Sequence, residues 1–401
     1  MRISENPPLH LTYCLNVHPG ESWEEIFDAI GAHARRVRDN VGREQAYGLG
    51  LRLGNAAARS LAEPGALETF RAYLRDENLY VFTINGFPNG RFHGRAVKEN
   101  VYRPDWRTDD RRRYTIQLAE LLAGLLPEDC PGTISTVPCS FKPWIVSDQD
   151  RLDMIRNLVA CVRHLRWLSI EHGKEISLGL EPEPCCYLET TAGFLEFYEE
   201  ELLRHGAPLL ATALQIGRGE AEEAIRRHLG LCLDTCHLAL QFEDLCGSMA
   251  RVLDAGIQVT KVQISAALEV SNSEPRREAL RPFVEPVYLH QVKMEKADGS
   301  LESWEDLPAA LEDLRGQDDS RRIRVHFHVP LFWAGSGKLG TTAGNLTPEF
   351  FALLEEGQCP HLEIETYTFN VLPPELKEQD VVASIVKEHE WVLKHLSRRV
   401  I

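Results

Sequence analysis

Short runs rich in Val, Ile, Leu, Thr and Tyr recur along the chain, each closing near a polar or Gly/Pro cluster. Between them lie longer stretches with apolar residues at helical spacing, an alternation that predicts βα units and a parallel sheet. Strand candidates fall at 11–17, 48–53, 79–84, 133–137, 176–180, 229–233, 259–264, 323–329 and 361–366. Helical stretches fall at 67–76, 109–126, 150–172, 191–204, 219–228, 243–255, 348–356 and 379–396. Ser22 is the expected N-cap of the first helix, with Glu24 and Glu25 where acids suit the helix dipole.

That pattern gives nine strand candidates where a closed α/β barrel needs eight. One of the runs 259–264 and 323–329 therefore lies outside the ring or forms a hairpin on its rim, and the pattern leaves open which. There is no long Gly/Ser/Pro linker and no internal repeat. The expectation is a single (β/α)8 TIM-barrel domain over 1–401, with insertions near 86–108, 266–320 and 331–347. Each insertion follows the C-terminal end of a strand, the face where barrel loops build active sites.

Composition narrows the function classes. With 43% apolar and 26% charged residues, the 401-residue chain has the makings of a globular core and is neither disordered nor fibrous. A net charge of −16 argues against general binding to nucleic acid or anionic membrane. The first ten residues contain no leader-like apolar run, and no stretch approaches the ~18 apolar residues of a membrane span. A cytoplasmic protein without membrane insertion is expected, its ten cysteines mostly reduced. The glycines at 335–344 lack phosphate-loop spacing, so nucleotide binding is unsupported.

Chemistry concentrates at strand ends. The string Leu229-Gly-Leu-Cys-Leu-Asp234-Thr-Cys-His237 delivers a carboxylate and an imidazole together, a metal half-site or else a helix cap with a neighbouring histidine. Another strand ends in Glu181-Pro-Glu183, where Glu181 is buried beside a cation or a basic side chain and Glu183 is expected to be solvated. In His361-Leu-Glu363-Ile-Glu365 the two acids share a face, with Glu365 at the open end and Glu363 deeper against a basic partner. His326 and His328 also share a face, and either can enter the site. The loop Asn85-Gly-Phe-Pro-Asn-Gly-Arg91-Phe-His93-Gly-Arg95 interleaves basic and aromatic residues. It reads as a solvated loop or as a lid over a polar, anionic substrate, with Asn85, Arg91 and His93 as binding candidates.

The order strand-Glu, strand-Asp-x-x-His, last-strand-Glu resembles the xylose-isomerase-like barrel superfamily of sugar-phosphate isomerases and epimerases. The string Leu233-Asp-Thr-Cys-His237 is similar to its endonuclease IV branch. Over the whole chain, Leu11–Trp23, Phe82–Pro88, Gly132–Pro138 and Val325–Leu331 resemble the EboE-type family associated with metabolite traffic. The resemblance implies a metal held by Glu181, Asp234, a residue of the next strand and Glu365. The third ligand is usually His, and the matching position here is Gln263, so Gln263, His326 or His328 completes the set.

These readings imply an isomerase- or epimerase-like enzyme using Mn²⁺, Mg²⁺, Co²⁺ or Zn²⁺ on a small sugar-like metabolite, in a pathway of metabolite processing or export. Glu181 and Glu365 exchange the proton next to a carbonyl, while His237 and His326 orient substrate. Two alternatives stay open: a metal-dependent phosphoester hydrolase, which needs two or three clustered metals, and a non-catalytic carrier or scaffold. Operon-encoded partners are implied by the family likeness, and neither the substrate nor the oligomeric state is.

Overall fold

The computed structural model describes residues 1–42, 45–94 and 96–396. Strands β1 (Arg2–Glu5), β2 (Pro8–Tyr13), β3 (Tyr47–Arg52), β4 (Leu79–Asn85), β5 (Gly132–Thr136), β6 (Ile176–Leu180), β7 (Leu229–Asp234), β8 (Val259–Ile264), β9 (Leu268–Ser271), β10 (Val292–Glu295), β11 (Leu301–Trp304), β12 (Arg322–Val325), β13 (Gly340–Thr341) and β14 (His361–Ile364) form two sheets.

The larger sheet runs β1-β2-β14-β8-β7-β6-β5-β4-β3, and every pairing in it except the β1–β2 hairpin is parallel. A parallel bridge between Cys14 and Gly50 joins its two ends, closing β2 onto β3. The result is a (β/α)8 barrel with the strands in sequential order, as the alternation predicts. Helices such as Pro64–Asp76, Asp109–Leu125, Asp148–His172 and Arg218–His228 form the outer layer. Ser22 closes a reciprocal capping box with Glu25, satisfying N–H groups that the helix start leaves open.

The surplus strand is β12. It belongs to an antiparallel sheet, β11-β10-β12-β9-β13, built almost entirely from the chain between β8 and β14. This rim sheet is tied to the end of β8 by bonds from the Val329 N–H to the Ala266 carbonyl and from the Thr342 N–H to the Ala267 carbonyl, both 2.9 Å. Residues 326–329, expected as the end of a strand, instead leave β12 and cross toward the barrel mouth. All ten cysteines are free thiols. No helix among the described residues is long and apolar enough to cross a membrane.

Below the mouth the barrel holds an ion pair. Lys261 and Glu363, both fully buried, meet side chain to side chain. This is the basic partner expected for Glu363. Gly50 makes room for it, since a Cβ there would lie 1.8 Å from a Glu363 carboxylate oxygen. Burial works against the Lys261 ammonium, but the Glu363 carboxylate outweighs it and holds the lysine charged.

Candidate metal centre at the barrel mouth

Glu181 follows β6, Asp234 ends β7 and Glu365 follows β14, so the parallel register brings three acids to one opening. One carboxylate oxygen from each lies within 4.8 Å of the others, and all three side chains are buried. Asn16 and Asn85 each donate an N–H to Glu365 Oε1 at 2.8 Å. Asp234 Oδ1 accepts from the Cys236 and His237 N–H groups at 2.7 and 3.0 Å and from the Ser265 hydroxyl at 2.7 Å. Glu181 Oε2 and Asp234 Oδ2 have no hydrogen-bond partner.

Those orphaned oxygens set the electrostatics. Burial first, and the Asp234 charge second, hold the Glu181 carboxyl well above its ordinary value. Burial and then Glu181 do the same to Glu365. Burial pushes on Asp234 as well, but His237, His328 and the Ser265 hydrogen bond outweigh it and keep that group ionised. Asp234 caps the helix through Oδ1, one of the two readings expected of it, and leaves Oδ2 without a donor.

Three imidazoles stand beside the acids. His237 donates its Nδ1–H to the Pro182 carbonyl at 3.0 Å, and His328 donates to the Glu365 carbonyl at 2.5 Å. His326 donates to Gln291 Oε1 at 2.6 Å, an amide whose orientation is fixed because its nitrogen faces the Pro184 carbonyl and Glu183. With each Nδ1 proton committed, each Nε2 is the ring atom left to face a proton or a cation. Those Nε2 atoms nevertheless meet at 3.2 Å (His237–His326) and 3.3 Å (His326–His328). Ligand atoms of Asp234, His237 and His328 lie within 4.8 Å of one another, as do those of Glu183, His237 and His326. Burial, then the neighbouring imidazoles, hold His326 well below its usual value, and burial lowers His328 to about 4.

Of the expected site residues, Glu181, Asp234, His237, His326, His328, Glu365 and Asn85 converge. Gln263 is fully buried and lies opposite Asp234 in the β7–β8 register, with both amide atoms lacking partners. Two expectations for the loop are corrected. Arg91 is exposed and does not line the mouth, because the loop turns its side chain to solvent. His93 is used up in the wall: its ring bonds the Asn16 carbonyl at 2.7 Å and the Tyr288 hydroxyl at 2.9 Å. Arg95 lies outside the described residues.

Glu183, expected in solvent, is buried, accepting from the Tyr102 hydroxyl at 2.9 Å. Sequence reasoning also missed Asn16, Tyr102, Tyr288 and Tyr367, which line the mouth with Phe87 and Phe92. They arrive from separate loops and carry no common spacing. The cavity they line measures ≈ 60 Å³, room for about two waters. Lys98 is the one Lys or Arg among its lining residues, and its Nζ is committed to Asp306 Oδ2 and the Tyr288 carbonyl at 2.7 Å each.

No family model and no curated protein matches the chain. Among solved structures it is similar to a probable 3-DHS dehydratase, AsbF, involved in petrobactin synthesis from Bacillus anthracis. That match has 14% identity and a TM-score of 0.49, covering 95% of this chain and 98% of the other. A xylose isomerase-like TIM-barrel protein from Mycobacterium smegmatis in complex with magnesium matches at 14% identity and TM-score 0.48, covering 96% and 90%. The IOLI protein with a bound zinc atom matches at 12% and 0.46, covering 97% and 98%. At such identities and scores, none of these fixes a reaction for this chain.

Proposed function

We propose that the chain is a divalent-metal-dependent enzyme of the xylose-isomerase-like type that isomerises or epimerises a small, uncharged, polyhydroxylated metabolite. The supporting observation is the trio Glu181, Asp234 and Glu365, in which Glu181 and Asp234 each keep a buried oxygen that has no donor. Buried carboxylates this close cannot all ionise without a cation. The donor set fits one: Glu181, Asp234 and Glu365 supply oxygens, and His328, which adjoins Asp234, and Gln263 are the candidates for the fourth position. When bound, a divalent ion polarises a carbonyl and makes the neighbouring C–H more acidic.

The remaining work falls to the chain. Glu181 and Glu365, with carboxyls raised by burial, are better suited than solvated acids to take up a proton and return it. Asn16 and Asn85 hold Glu365 in one orientation. The aromatic walls of Phe87, Phe92, Tyr288 and Tyr367 exclude water. Because Lys98 is already paired, a phosphate or carboxylate entering the mouth meets no free cationic side chain, which favours a neutral substrate. The small cavity means that Lys98 parts from Asp306 and the Tyr288 carbonyl to admit it. The likeness to EboE-type proteins suggests a pathway of metabolite processing or export, with partners encoded alongside.

A second reading, phosphoester hydrolysis, is favoured by the imidazole trio, which offers a second cation seat beside the first. Both are tested by loading metal-stripped protein with Mn²⁺, Zn²⁺ or Mg²⁺, counting ions per chain, and incubating ketoses, aldoses and cyclic polyhydroxylated ketones in D₂O. Deuterium appearing next to the carbonyl, and lost in Glu365→Gln, supports isomerisation. Phosphate release from phosphoesters without exchange supports hydrolysis. A chain that retains no cation overturns both and leaves a carrier.

A further inference from the structure

The segment that walls the mouth has a second face. On that side, Asn89 and residues 103–108, helix Asn55–Leu61 and the start of helix Asp109–Leu125 enclose a groove of ≈ 680 Å³. This is far larger than the mouth cavity and shares no lining residue with it. Its size falls within the ~300–1,000 Å³ range of small-molecule sites.

The groove is lined by four guanidinium groups and two carboxylates, in a chain that is otherwise strongly acidic. Two of the arginines are committed. Arg107 bonds Asp105 Oδ2 at 2.9 Å and the Trp144 carbonyl at 2.7 Å, and Arg113 pairs with Asp109 at 2.5 Å. Asp105 is in turn saturated, accepting from Arg107 and from the Ser140 hydroxyl at 2.6 Å.

Arg59 and Arg103 are different. Neither has an ion pair among the described residues. Arg103, exposed like Arg59, lies over the Trp144 ring at 4.1 Å, which orients its planar fork. Asn55, Asn89 and Gln117 add amide groups to the same lining.

From this lining we infer that the groove is a binding site for a phosphate-bearing small molecule, with Arg59 and Arg103 gripping the phosphate. A guanidinium fork matches a phosphate face with two parallel N–H···O bonds, the strongest class of protein hydrogen bond. The amides then serve the polar remainder, since the groove is too large for phosphate alone. The site stands independently of the chemistry in the mouth.

Calorimetric titration of the full chain with pyrophosphate and with orthophosphate, metal-loaded and after EDTA treatment, tests it. Saturable pyrophosphate binding is expected in both forms. It should weaken by about tenfold or more in Arg59→Gln/Arg103→Gln. Arg218→Gln, which alters an exposed guanidinium paired with Glu222, should leave it unchanged. Matching thermal unfolding of the variants and the parent protein separates lost binding from lost fold. No saturable binding up to about 10 mM, or equal affinity in the double variant, overturns the assignment. Binding abolished by EDTA alone would also overturn it, locating the anion on mouth cations instead.

Discussion

The two halves of the barrel mouth suffer opposite electrostatic faults. On the carboxylate side, burial lifts Glu181 and Glu365, so their oxygens hold protons that solvated acids would have lost. On the imidazole side, burial lowers His326 and His328, so their nitrogens refuse protons that solvated histidines would accept. One cause produces both shifts, because burial penalises whichever form is charged. A cation corrects both at once, replacing the proton on the acids and filling the space between the Nε2 lone pairs. Asp234 belongs to both halves, one oxygen capping a helix and the other facing the acids and imidazoles.

Asp234→Asn should therefore have the largest effect. The amide oxygen keeps the cap, and the NH₂ group lands where a donor is useless to a metal. We expect cation affinity to fall by 100-fold or more, with activity lost and unfolding little changed. Retained affinity in this variant would show that the two halves do not share the residue. Lys261→Met comes next and probes what lies beneath the carboxylates. It leaves Glu363 buried without its ammonium, at a cost of about 3–5 kcal/mol in denaturant unfolding. Lys261→Met/Glu363→Leu should recover most of that loss. If it does not, the lysine acts on the acids above rather than on its partner.

The barrel was legible in the sequence because each β-strand and the helix after it carry their own periodicity within a few residues. The rim sheet was not. Its strands are four residues or fewer, and β12 pairs with segments about 30 and 50 residues away, so no local pattern announces them. His326 and His328 were therefore recognisable as a pair, while the element delivering them was not. Glu181, Asp234 and Glu365 were visible because acids ending apolar strands violate the ordinary pattern. Glu183 was misread because its burial depends on Tyr102 and Gln291, which two separate insertions supply.

The contrast between the halves is sharpened by counting protons. Burial makes the Glu181 and Glu365 carboxyls of the metal-free protein hold their protons more tightly than solvated acids do, whereas His328, lowered to about 4, gives its proton up more readily than a solvated imidazole. A cation entering the carboxylate side should therefore expel protons, and one entering the imidazole side none. Calorimetry in buffers of different ionisation enthalpy reads this directly. Release of no proton at the first equivalent would mean the acids are already ionised. Stability follows the same signs. The acids' contribution is full at low pH and is lost as pH rises above the ordinary carboxylate range. That of His328 is lost as pH falls from 6.5 toward 4.

The smallest effect is expected at Arg91. The sequence made it a candidate for substrate charge, yet it is exposed and absent from the mouth lining, and the nearest lining cation, Lys98, is tied to Asp306. Arg91→Gln should shift KM by less than about twofold, within the range of an ordinary surface change. Lys98→Met, which removes the side-chain bonds to Asp306 and the Tyr288 carbonyl, should move KM further than Arg91→Gln does. If Arg91→Gln instead raises KM tenfold with kcat unchanged, the guanidinium swings inward when the loop closes. The substrate would then be an anion after all, and the reading of the mouth as a seat for neutral molecules would fail.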